Sequence, residues 1–181
     1  AGSAAATSAG LCAFAIGTET WGSIVSPSER CGVAGLRPTF GRVSRAGAMA
    51  LCWSLDKIGP ICRFAEDTAL VLAALNGYDP ADAGSLAHGF SYDGNRQLSG
   101  MTVGYDPRSL EQEDATDSDR EAFRLLQASG VQLVELEFPE LPWEVMGPLL
   151  TVEAAAAFET LTLSGRDDRL RRQIANAWPN V

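Results

Sequence analysis

The sequence predicts an α/β fold on three observations. A small-residue run that suits a helix, "SAAATSA", is followed by "LCAFAIG", a short apolar run closed by glycine as a strand would be. From Ala65 to Asn76, "AEDTALVLAALN" sets Leu70, Leu72, Ala73 and Leu75 mostly on one side, with Glu66 and Asp67 in the first turn and Gly77 as the stop. Finally, "MTVGYD" and "VQLVELEF" read as strands around a helix from about Asp117 to Ser129, the spacing of a parallel strand-helix-strand crossover. At 181 residues and 46% hydrophobic content the chain is long enough for one sizeable core.

The remaining elements follow in order. The first helix ends at Gly10, a natural residue just past a C-terminus, and "LCAFAIG" is expected to be a buried strand. That strand stops at Gly17, which makes "TETWGS" a strand-to-loop exit, the place where α/β sheets carry ligand chemistry. In "SPSE", Ser26 serves as N-cap, Pro27 as first helical residue and Glu29 as capping-box partner. "GVAGLRPTFGRVSRAGAM" mixes short strands with loops, and "KIGPICR" is a short strand broken by Pro60. Residues 80–100 form a polar inter-segment loop between a core of residues 1–79 and a second part of residues 101–181. Within that part, Glu153 to Leu163 and Asp167 to Ala177 are helical, the second with Arg169, Arg171 and Arg172 on a solvated face.

Twenty-three acidic against fourteen basic side chains give a formal charge of −9, the wrong sign for a broad surface that binds nucleic acid or anionic lipid. No direct nucleic-acid or membrane partner is expected. Lys57 is the only lysine and His88 the only histidine, and His88 falls in the loop-like "AGSLAHGFSYDG". Cys12, Cys31, Cys52 and Cys62 lack metal-site spacing and read as reduced thiols, so neither a metal nor a cofactor is expected. With no membrane-length apolar run and no signal-peptide head, the expected location is the cytoplasm. The opening "AGSAAATSAG" and the closing "QIANAWPNV" suggest a fragment of a longer chain.

Several stretches in order, "GSAAATSAGL", "GTETWGSI", "CGVAGLRPTFGRVSR" and "SLDKIGPICR", closely resemble the amidase signature family over residues 1–79. The resemblance implies a mixed central sheet between helix layers, present here in part, and cleavage of a non-peptide amide through a serine acyl-enzyme. It assigns the nucleophile to Ser23. In the family that serine is activated by a second serine and a lysine rather than by histidine, which accounts for a serine turn without one. Both partners precede Ala1 in the family pattern, so neither lies in this chain. Ser3 and Ser8 follow the helper position, and Lys57 occupies a variable one; Ser3 reads as a helix hydroxyl and Lys57 as a surface or strand-end charge.

The turn suits that role physically. A serine hydroxyl needs a base, and the tetrahedral oxyanion needs preorganised donors. Thr20, Trp21, Gly22 and Ser23 supply successive backbone N–H groups, and Gly22 leaves room for a substrate. Two departures from the family stand out. Trp21 replaces a frequent glycine and becomes the candidate wall of a substrate pocket, unless its ring packs inward. An Asp/Arg pair common at positions 19 and 25 is replaced by Glu19 and Val25, so a charge pair is expected to be missing. The resemblance also admits two other readings. One is the amidotransferase subunit that makes ammonia from glutamine for misacylated transfer RNA, working with partner subunits; the other is a non-catalytic scaffold. The partners this implies are a small-molecule amide and either a second copy of the chain or amidotransferase partner subunits.

Overall fold

The computed structural model describes residues 1–108 and 115–166. In chain order the elements are α1 (Gly2–Ser8), β1 (Phe14–Glu19), α2 (Val25–Cys31), β2 (Ala34–Gly35), β3 (Lys57–Cys62), α3 (Ala65–Leu75), β4 (Thr102–Tyr105), α4 (Asp117–Ala128), β5 (Gln132–Glu135) and α5 (Met146–Leu163). They divide into two compact units, one of Ala1–Tyr92 with the chain from Glu144, the other Asp93–Trp143. The predicted helix at Asp167–Ala177 lies outside the described residues.

In the first unit β1, β3 and β2 form an antiparallel sheet with β3 in the middle. Pro60 was expected to break this strand, yet β3 runs through it, opposite Ile16. The reason lies in the direction of its backbone groups. The Pro60 carbonyl accepts from Leu36 N–H at 3.0 Å, on the β2 side, where the pairs Ala34–Cys62 and Gly35–Ile61 precede it. Proline has no N–H to return to Leu36, so the cost of the ring is the early end of β2, and the β1 side is unaffected.

α1 and α2 pack on this sheet around Ala4, Ile24 and Ile61, with Cys31 and Val33 against them. Gly17 permits the approach, since a Cβ there would sit 3.1 Å from both Ile24 and Ile61. β1 is not the buried strand expected from its apolar run: Phe14 and Ile16 are 48% and 40% exposed. It is an edge strand, and alternate side chains leave on opposite faces, only one of which meets α1. α3 follows its prediction, with Glu66 and Asp67 in the first turn and Gly77 at φ 151 beyond its end.

The second unit bears out the predicted crossover. β4 and β5 pair in parallel from Thr102–Gln132 to Tyr105–Glu135, with α4 between them in sequence. α4 opens with a capping box, Thr116 and Asp119 each bonding the other's backbone N–H, and the Phe123 ring packs against Tyr105 at 4.8 Å, tilted by 58°. In the first unit, α5 begins at Met146 rather than at Glu153, the added turns being supplied by an apolar run.

Candidate active site

The strand-to-loop exit after β1 carries the candidate serine, and the strand's alternation determines what surrounds it. Thr18 and Thr20 line a cavity of about 380 Å³, while Glu19 between them turns inward and is fully buried. A buried carboxylate must be paired, and Glu19 is. One oxygen accepts from the backbone N–H groups of Ile24 at 2.7 Å and Val25 at 3.0 Å; the other takes the Arg37 guanidinium at 3.1 Å. This corrects two expectations. The charge pair is present, with Arg37 as its cation, and α2 is capped by Glu19 instead of Ser26. Helix α2 starts at Val25 with Ile24 as N-cap, because Glu19 already holds those first donors, and Ser26 N–H points back to Gly22 O at 2.9 Å inside the first turn.

Four residues then fix the turn. Lys57 Nζ donates to Thr20 O at 3.2 Å, and Arg37 donates to Trp21 O at 3.3 Å. Thr20 Oγ1 donates to Asp56 at 2.6 Å, and the second oxygen of Asp56 accepts from the Leu51 and Cys52 N–H groups. Lys57 reaches the turn because β3 pairs it with Glu19 across the ladder. Burial lowers the pKa of its ammonium below the ordinary lysine value; the neighbouring Arg37 adds to this, and Glu19 and Asp56 oppose it.

Ser23 is exposed, follows this turn, and lines the cavity together with Thr20, Asp56 and Lys57. Its hydroxyl has no hydrogen-bond partner among the described residues. The cavity's apolar wall comes from Met49, Leu51, Trp53, Ile58 and Phe158. Arg45 and Asp82 close one side as a forked ion pair, with Arg45 also stacked over Phe40 at 4.4 Å. A second, more open hollow of about 450 Å³ is bordered by Ala1, Gly22, Ser23, Ser26, Pro27 and Arg30.

Residues 1–178 match the family model described as Amidase. The chain belongs to the amidase family. This amidase segment is 40% identical over 145 residues to a glutamyl-tRNA(Gln) amidotransferase subunit of Synechococcus elongatus, covering 78% of the segment and 30% of that protein. It superposes on the solved glutamyl-tRNA(Gln) amidotransferase subunit of Thermotoga maritima with a TM-score of 0.75 at 32% identity, covering 93% of the segment and 38% of that chain. On the native peptide amidase of Stenotrophomonas maltophilia the TM-score is 0.73 at 34% identity, covering 91% and 36%. The segment therefore spans about a third of the length of the relatives it matches. Its architecture is the α/β amidase signature fold.

Within the amidase segment, the residues singled out from sequence fall in different places. Thr20 and Ser23 reach the cavity, whereas Trp21 does not: it is 55% exposed and outside the lining, and the tryptophan in the wall is Trp53. Its contribution to the local network is its carbonyl. Lys57 is at a strand end, as read, but half-buried and facing the turn. Ser3 Oγ donates to Ile16 O, a helix-to-strand tie. His88 is exposed, and its carbonyl accepts from Asn76. All four cysteines are free thiols, Cys52 and Cys62 buried. Among the described residues no cluster could hold a metal, and no helix is long and apolar enough to cross a membrane. Arg37 and Asp56 were missed from sequence; the available signal was their place inside the family stretches "CGVAGLRPT" and "SLDKIGP".

Proposed function

We propose that the full-length protein containing this segment cleaves carboxamides through an acyl-enzyme on Ser23. The observation that carries this is the location of an unpartnered serine hydroxyl at the mouth of a largely apolar cavity, directly after a turn whose carbonyls are tied back. Ser23 Oγ adds to the amide carbon as its proton passes to a base. The oxyanion is received by backbone N–H groups of the turn, drawn from Thr20, Trp21, Gly22 and Ser23. The C–N bond then breaks, the amine leaves with the proton, and water releases the carboxylic acid from Ser23. By the family resemblance the base is a lysine working through a second serine, and neither is among the residues of this segment. The apolar cavity takes the acyl group, and free thiols fit a cytoplasmic setting.

A second reading has specific support in the amidotransferase relatives: glutamine is the amide, and ammonia passes to partner subunits that handle transfer RNA. The test is labelling of the full-length enzyme by a serine-reactive fluorophosphonate. Label is expected on Ser23 and absent from Ser23→Ala, and a variant that labels at full stoichiometry would remove Ser23 from the mechanism. Glutaminase assays with and without candidate partner subunits separate the two readings: stimulation by partners supports the amidotransferase, and partner-independent turnover of simple amides supports the hydrolase.

A further inference from the structure

Two cations bond consecutive carbonyls of the turn that precedes Ser23: Lys57 on Thr20 O at 3.2 Å and Arg37 on Trp21 O at 3.3 Å. In a trans peptide the C=O and the following N–H point in opposite directions. The carbonyl of Thr20 shares its peptide with the N–H of Trp21, and the carbonyl of Trp21 shares its peptide with the N–H of Gly22. A cation on each oxygen therefore fixes the plane of that peptide and draws electron density away from its N–H.

We propose that Lys57 is a positioning residue for the oxyanion turn, holding and polarising the Thr20–Trp21 peptide through its carbonyl, with Arg37 doing the same for the next peptide. This rests on the reading of Ser23 as nucleophile. The occupancy of each group favours Lys57 as the adjustable member. Arg37 is also bound to buried Glu19, and Asp56 is spent on Thr20 and two backbone N–H groups. Lys57 has Thr20 O as its one hydrogen-bond partner and no ion pair among the described residues, so its charge is directed at that carbonyl. Hydrogen bonds in series strengthen one another, and those to an ionised donor are about twice as strong as neutral ones. The effect grows as negative charge develops on the substrate oxygen, so it lowers the barrier more than it tightens binding.

The experiment uses the full-length enzyme with three substitutions. Lys57→Met removes the donor and its charge; Lys57→Gln keeps a neutral donor; Lys57→Arg keeps the charge. Losing one oxyanion donor outright costs about 100-fold or more in kcat, so losing its support is expected to cost about tenfold, with KM little changed. Lys57→Arg should recover most of the loss and Lys57→Gln a part of it. The second-order rate of fluorophosphonate labelling should fall in step with kcat, because the phosphonyl oxygen occupies the same donors. Thermal melting identifies variants that do not fold, and Lys57→Gln and Lys57→Arg then carry the comparison. Unchanged kcat and labelling rate in a folded Lys57→Met, or a rise in KM at constant kcat, would overturn the proposal, the second by making Lys57 a substrate contact. A wild-type enzyme that takes no label on Ser23 would fail the nucleophile reading, and this role for Lys57 with it.

Discussion

Glu19 Oε2 lies 2.7 Å from the backbone nitrogen of Ile24, so a side chain at the end of β1 closes the start of the helix that follows Ser23. The serine thus sits in a short loop pinned at both ends by one carboxylate. Replacing Glu19 by alanine leaves the Ile24 and Val25 donors unpaired and Arg37 without its ion, which is expected to cost about 3 kcal/mol of stability. Denaturant unfolding of the full-length protein measures this. Glu19→Gln, which keeps an acceptor, should lose less.

Gly59 is the tightest point in the sheet. A Cβ there would run into the Leu36 carbonyl and lie 2.8 Å from the Pro38 ring, with Ile24 also in contact at 3.2 Å. Gly59→Ala is expected to destabilise by about 2–3 kcal/mol through overpacking. The same substitution at Gly47, where nothing lies within 4 Å but φ is +78, should cost less, about 1 kcal/mol from backbone strain. Melting temperatures of the two variants test the ordering.

Trp53 lines the cavity and Trp21 does not. Trp53→Ala is therefore expected to shift kcat/KM toward bulkier acyl groups, measured as the ratio between a branched and a short aliphatic amide. Trp21→Ala should move that ratio less, since it leaves the backbone N–H and carbonyl in place. A larger shift in Trp21→Ala would return the pocket wall to Trp21.

Asp82 is held well below the usual carboxylate range, first by its hydrogen bond from the Arg45 side chain, then by Arg45 N–H. A depressed folded-state pKa gives stability that is complete above the unfolded value, about 4, and is lost as pH falls through the folded one. Asp82→Asn is expected to cost about 3 kcal/mol at neutral pH, with the gap to wild type narrowing steadily below about pH 4. Urea unfolding at pH 7 and pH 3 measures both values; a gap independent of pH would assign the loss to packing.

Local signals in the sequence carried the helices and the crossover. Ala65 to Asn76 has its own stop and its own first-turn acids, and β4-α4-β5 has the spacing that suits a parallel crossover. What failed was decided at a distance. Ser26 has the chemistry of a cap, but Glu19 reaches across the turn to the Ile24 and Val25 N–H groups, so the helix starts earlier and Ser26 falls inside its first turn. Pro60 would break a fully paired central strand, and survives because its N-side faces the end of β2. For the candidate site, Ser23 and Thr20 at the cavity were legible from an ordered motif, whereas Lys57 and Arg37 meet the turn at its carbonyls. Carbonyls are present at every position and leave no mark in sequence, so only strand pairing revealed which ones these cations meet.

The pairing of Glu19 with Lys57 has a kinetic side as well. Thr20 and Lys57 are 37 positions apart, so the turn is unsupported until a long loop has closed and β3 has docked in the correct frame. Side chains alternate along a strand, and a slip of one position would offer Ile58 to the Thr20 carbonyl in place of Lys57. Such a misaligned molecule would carry an intact Ser23 and a nearly native content of secondary structure, and would still lack the cation on the Thr20 carbonyl. Refolded enzyme should therefore regain its circular dichroism before it regains its rate of reaction with a serine-directed probe.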